Sequence, residues 1–179
     1  DKGARFMQLC DAFDIPILFL CDTPGIMVGP EVEHTALVRH ASRMFLTGAN
    51  LSVPFFTIVI RKAYGLGAIA MAGGSYKMPH FTVSWPTGEF AGMGIEGSVK
   101  LGYREELAAI KDPEERLQRY EDRVASAYES GKALNNAVGF GIDDTIDPAE
   151  SRWWVASALS AVRPPPPREG KKRPSIDAW

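Results

Sequence analysis

Two apolar runs, residues 17–21 and 53–60, constrain the fold more than any other feature of this chain. A strand with one wet face alternates apolar and polar residues, whereas these runs are apolar almost throughout, the pattern of strands covered on both faces. Between them, residues 31–46 set Leu37, Val38, Ala41, Met44 and Phe45 on one stripe of a helix that Gly48 closes. Strand, helix and strand in that order form a parallel βαβ crossover, so the chain is predicted to be α/β.

The flanks extend the pattern. Phe6, Leu9, Cys10 and Phe13 recur at helical spacing ahead of Asp14-Ile15-Pro16, and the first strand leaves through Asp22-Thr23-Pro24-Gly25, a turn in which Pro presets φ and Gly permits positive φ. Residues 65–74 are small, apolar and uncharged, which suits a short helix packed tightly on the sheet. A third strand is predicted over 81–85. Helices are predicted over 95–103, where Gly97 and Gly102 interrupt, over 112–130, and over 148–162 behind the capping Asp147. Glu114, Glu115, Arg116, Arg119, Asp122 and Arg123 give the middle one of these a solvated face. Residues 1–162 read as one domain. From 163 to 179 the character changes: four consecutive prolines, then Arg168, Lys171, Lys172 and Arg173, an extended basic tail that either frays or docks on an acidic partner.

With 179 residues, 45% of them hydrophobic, the chain can bury one core. Its net charge of −2 argues against a broadly basic, nucleic-acid-binding surface. No apolar stretch approaches the roughly 18 residues that would span a bilayer, so no membrane association is expected. Cys10 and Cys21 have neither disulfide density nor metal-ligand spacing, which points to a reducing compartment: the cytoplasm, or the mitochondrial matrix in a eukaryote. The start, Asp1 to Met7, has no signal-peptide core and no initiator Met, and reads as a cut inside a helix.

Arg61-Lys62-Ala63-Tyr64-Gly65-Leu66-Gly67-Ala68, set between a strand and an apolar helix, is the segment best suited to chemistry. Small residues let the backbone approach a ligand, and first-turn amides lack intrahelical acceptors, so they can form an oxyanion hole. The alternative is glycine used only for close helix packing. The run also matches a dinucleotide fingerprint, with Glu89 as the ribose contact, but four residues separate the predicted strand end from Gly65. His34, His40 and His80 show no ligand spacing, and no metal is expected. Asp22 is best explained as a turn opener.

Cys10-Asp11-Ala12-Phe13-Asp14-Ile15-Pro16, Asp22-Thr23-Pro24-Gly25, Arg61-Lys62-Ala63-Tyr64-Gly65, Trp85-Pro86-Thr87-Gly88-Glu89 and Met93-Gly94, in this order and spacing, resemble the carboxyltransferase (β) subunit of biotin-dependent acyl-CoA carboxylases. The resemblance covers roughly residues 1–162. It implies a ClpP/crotonase-like superhelix of ββα units, and within the subunit the C-terminal of two such domains, so that this chain would be a piece of a longer subunit and inactive alone. In that family the N-terminal domain binds the acyl-CoA, while the C-terminal domain faces carboxybiotin delivered by a separate carrier of the biotin carboxylase assembly. The site forms between domains of different protomers, which implies a homo-oligomer.

By position, the backbone amides of Leu66 and Gly67 would hold the biotin oxygen, with Gly65 and Ala68 shaping the turn. Ile69 would line the acyl pocket, and Pro24, Gly25, Met93 and Gly94 would complete the binding surface. Gly65-Leu66-Gly67-Ala68 departs from the Gly-Gly-Ala-Tyr of many members, and the Leu66 side chain is expected to shift the hole or narrow the pocket. Two further readings are a biotin-dependent acyl-CoA decarboxylase α subunit and a non-catalytic scaffold domain of the same fold. Tyr76-Lys77-Met78 only half echoes a biotin-attachment site, so biotin is expected to arrive on another domain or protein.

Overall fold

The two apolar runs do pair in parallel. β1 (Ile17–Thr23) lies beside β2 (Phe55–Tyr64), from Ile17 opposite Phe55 to Thr23 opposite Ala63, with a bulge after Cys21. The computed structural model describes residues 1–173 and 175–178, and among these the sheet has five strands. β3 (Thr82–Ser84) pairs with β2, and β4 (Glu89–Ala91) pairs with the far end of β2. β5 (Asp144–Thr145) pairs with β3, and all four pairings are parallel. β3 is as short as β4 but lies within the run 81–85 flanked by Phe81 and Trp85, whereas β4 and β5 lie in no such run, so of these three short strands only β3 was legible in the sequence.

One face of the sheet is covered by α1 (Lys2–Ala12), whose Met7 and Cys10 pack on Ile17, Phe19 and Phe55. Cys21, Val59 and Ala63, farther along the strands, are covered by Ala68 of α4 (Gly65–Ala70) and by Ala133 and Ile142. On the opposite face Phe56, Ile58, Phe81, Val83 and Ile146 meet Trp154 and Val155 of α9 (Ser151–Ala161). Asp147 starts that helical region with a capping box: its carboxylate accepts from the Ala149 N–H, while Glu150 reaches back to the Asp147 N–H. The helix predicted over 112–130 is α7 (Pro113–Ser130), capped by Asp112 and preceded by α5 (Ile95–Gly102) and α6 (Arg104–Ala109). α8 (Ala133–Val138) follows. Among the described residues no helix is long and apolar enough to cross a membrane.

Several expectations are corrected. The helix expected over 31–46 is two pieces, α2 (Pro30–Glu33) and α3 (Leu37–Ala49), separated where Ala36 takes a left-handed φ of 58°. In α1 the buried side is Ala4, Met7, Gln8, Cys10 and Asp11, so Phe6 and, just past its end, Phe13 point outward; the polar Gln8 and Asp11 are buried with both of their terminal polar atoms hydrogen-bonded. β1 is an edge strand whose second face is open at Leu18 and Leu20, because α9 reaches only as far as β2. β2 continues unbroken to Tyr64, so the gap expected between strand end and Gly65 does not exist. The basic tail lies on the chain itself: Arg168, Lys172 and Arg173 meet Asp14 and Asp11, an acidic surface of its own.

Candidate functional site

Parallel strands deliver their C-terminal ends to one edge of the sheet, the place where open α/β sheets bind ligands. Here three chain segments converge on that edge: Pro24-Gly25 after β1, Gly65 to Gly67 after β2, and Gly92 to Gly94 after β4. They meet backbone to backbone. Gly25 has a φ of 109°, and a Cβ there would stand 3.3 Å from the Tyr64 carbonyl oxygen; Gly65 has a φ of 55°, and its Cβ would stand 2.7 Å from the Gly92 carbonyl oxygen. A Cβ on Gly67 would meet the Gly25 carbonyl carbon at 2.9 Å and Thr23 Oγ1 at 3.2 Å. Thr23 Oγ1 in turn accepts from the Gly25 N–H at 3.3 Å. Close packing therefore explains Gly67.

Beside this seam lies a cavity of about 620 Å³, lined by Pro24, Gly25, Gly65, Leu66, Met93 and Gly94. Its far wall is Ile26, Met27 and Val28 with Leu37, Val38, Ala41 and Phe45 of α3, and its only polar side chains are Glu33 and Ser42. Ile69 lines a second cavity of about 500 Å³ with Tyr76, Phe90 and Asn136. Gly65, Leu66 and Gly92 border both, with the Leu66 side chain exposed. Ala68 points the other way, fully buried against Cys21 and Val59. Six of the nine residues expected at the site thus share one cavity, Ile69 occupies its neighbour, and Gly67 and Ala68 sit behind them.

The amides of Gly65, Leu66 and Gly67 open α4 and have no acceptor within it. Around them the titratable groups are structural. Arg61 forks onto Asp22, with Nη2 2.9 Å from Oδ2, and the Lys62 N–H donates to Asp22 Oδ1; the guanidinium first, then that amide, hold the Asp22 carboxyl below its ordinary range. Tyr64 donates to Glu89 Oε2 at 2.8 Å, so Glu89 serves the strand junction, and burial followed by this carboxylate pushes the phenol upward. Burial pushes the Cys21 thiol up to about 11, which removes it as a nucleophile. His40 pairs with Asp1 and His80 packs on Phe56, both away from the cavity, and among the described residues no His, Cys, Asp or Glu group could hold a metal ion. The arrangement is thus suited to an apolar ligand with one oxygen directed at backbone donors.

Sequence reasoning missed the far wall. The stripe Leu37, Val38, Ala41 and Phe45 marks a helix without saying what it faces, and the uninterrupted apolar triplet Ile26-Met27-Val28, placed in a loop between Gly25 and Gly29, is the signal that a cavity covers it.

The chain matches the carboxyl transferase domain family over residues 1–172. It is 36% identical over 156 residues to the carboxyltransferase subunit of propionyl-CoA carboxylase from Haloferax mediterranei, covering 85% of this chain and 29% of that protein. Among solved structures it is similar to a single-chain, multi-domain long-chain acyl-CoA carboxylase, with 53% identity and a TM-score of 0.77 over 88% of this chain and 15% of the other. It is also similar to the transcarboxylase 12S hexamer with methylmalonyl-CoA and methylmalonic acid bound, with 31% identity and a TM-score of 0.81 over 99% of this chain and 34% of the other. The chain spans about three tenths of the length of the curated relatives it matches.

Proposed function

Because this chain belongs to the carboxyl transferase domain family and has its α/β, crotonase-like fold, we propose that it forms the biotin-facing half of a site that transfers a carboxyl group from carboxybiotin to an acyl-CoA. The observation that carries this reading is the almost wholly apolar cavity of about 620 Å³, which Gly65 and Leu66 border at the start of α4. That lining fits the uncharged bicyclic ring of biotin, and the amides of Leu66 and Gly67 fit its ureido oxygen. Carboxybiotin, when bound, would supply the carboxyl group and a ureido nitrogen able to take the substrate proton.

The chain's own part is to orient and to exclude water. First-turn amides, fixed by the glycine seam, would stabilise charge on the bound oxygen; one such donor contributes about 2.7 to 4 kcal/mol in other enzymes. Gly65 and Ala68 hold the turn, and Pro24, Gly25, Met93 and Gly94 form the ring contacts. Ile69, in the second cavity, would face an uncharged acyl chain, and the apolar lining there together with the 53% identical long-chain carboxylase favours a long one. The acyl-CoA would be held mainly by a separate N-terminal domain, and biotin would arrive on a carrier of the biotin carboxylase assembly. A homo-oligomer would bring the halves together, in the cytoplasm, where Cys10 and Cys21 stay reduced.

The test is titration of the ¹⁵N-labelled chain with biocytin, biotin joined to the lysine side chain. Amide shifts centred on Leu66, Gly67, Met93 and Gly94 are expected. Shifts confined to other surfaces, or none at millimolar biocytin, would refute the assignment.

A further inference from the structure

The helix that walls the cavity is tied, on its other side, to the C-terminal tail. From 37 to 46 no residue of α3 is buried; only Thr47 and Gly48 near its end are. Packing alone therefore holds its first turns weakly, and segments with few buried contacts open first. Leu37, Val38, Ala41, Ser42 and Phe45 line the cavity, whereas His40 and Arg43 make polar ties elsewhere. His40 Nδ1 stands 2.6 Å from Asp1 Oδ2, Arg43 Nη1 2.7 Å from Asp1 Oδ1, and Arg43 Nη2 2.9 Å from Asp177 Oδ2.

Asp177 is itself clasped by α1. Gln8 Nε2 donates to its Oδ2 at 2.9 Å, and the Asp177 N–H donates to Gln8 Oε1 at 2.9 Å. Upstream in the tail, Arg173 Nε meets Asp11 Oδ2 at 2.6 Å, Lys172 Nζ meets Asp14 Oδ1 at 2.9 Å and Asp11 Oδ1 at 3.3 Å, and Arg168 pairs with Asp14. Arg173 also donates to the Asn50 carbonyl at 3.3 Å, just beyond the end of α3. The Asp11 side chain is 3% exposed, so it needs these cations and the Ser52 N–H to stay ionised.

We propose that the tail, through Arg168, Lys172, Arg173 and Asp177, is an ionic strap that fixes α3 to α1 and thereby sets the position of the cavity wall. Most of its partners on and just beyond α1 and α3 are charged side chains, and several of them remain partly exposed, so salt weakens the strap while the apolar core is left intact. The device is independent of which reaction the cavity serves.

Hydrogen exchange followed by mass spectrometry on the full chain tests it. In R168Q/K172Q/R173Q at low salt, amides of residues 37–46 should exchange roughly tenfold faster, with those of β2 unchanged. The unaltered chain in about 0.5 M salt should move toward the same rates. Should the triple variant fail to fold because Asp11 loses its partners, D177N leaves those pairs intact and should still quicken exchange in 37–46. Unchanged exchange there in a folded triple variant, or in D177N, would overturn the strap.

Discussion

Replacing glycines one at a time by alanine should rank three helical positions by what surrounds them. In α5, Gly97 has only the flexible Met93 Cε at 3.9 Å, so Gly97→Ala should stabilise by about 0.8 to 1 kcal/mol through helix propensity alone. At Gly67 the same propensity gain is opposed by a Cβ 2.9 Å from the Gly25 backbone, where overpacking costs about 1 to 3 kcal/mol, so the net loss should be roughly 0 to 2 kcal/mol. Gly65→Ala combines two penalties: a left-handed φ of 55°, costing about 1 to 2 kcal/mol, and a Cβ 2.7 Å from the Gly92 oxygen, costing about 1 to 3 kcal/mol more. Its expected loss is about 2 to 5 kcal/mol, or roughly 4 to 20 °C in Tm for a chain of this size. Thermal and urea unfolding followed by circular dichroism measures all three. A Gly65→Ala variant as stable as Gly67→Ala would refute the claim that the seam is set by backbone contact and φ together.

Acid should destabilise the chain through Asp11. Burial alone would raise its pKa, but hydrogen bonds from Ser52, Arg173 and Lys172 outweigh this and lower it from 3.8 to about 2, so its contribution is complete above the unfolded value and lost as pH falls from about 4 through 2. Urea unfolding at pH 6 and pH 2 should differ by about 2 kcal/mol from this group, and an unchanged midpoint would contradict it. Ala36→Gly should stabilise by about 1 kcal/mol, since the exposed Ala36 pays for a left-handed φ of 58° at the cap of α3; calorimetry showing a lower Tm would count against this. Cys21 should resist an aromatic disulfide reagent at pH 8 until denaturant is added, because it is fully buried and its thiol is held up near 11; rapid native labelling at that residue would contradict the placement.

The α/β core was legible because strands buried on both faces leave unbroken apolar runs, and residues 53–60 belong to such a strand. Residues 17–21 look the same in sequence yet form an edge, since composition cannot distinguish a strand covered by a helix from one whose helix stops a strand short. Leu66, Met93 and Gly94 could be placed together only through the family resemblance, because strand topology, not sequence distance, joins them. The α3 stripe leaves its partner open for a related reason: the same spacing serves a core and a cavity wall, and Val38, 69% exposed, belongs to the wall. The tail's acidic partner was invisible because Asp11 and Asp14 lie more than 150 residues from the cations that meet them.

The glycine seam divides this site into what can vary and what must travel together. Gly25, Gly65 and Gly67 each touch the backbone of another segment, so a substitution at one requires a compensating shift in the main chain of its partner, and the loop can be exchanged between relatives only as a block with its counterparts at 23–25 and 92. Leu66 and Ile69 are different: three residues apart on one face of the same short helix, both line open space. A library aimed at new ligands would therefore place its diversity at these two positions and leave every glycine around them untouched.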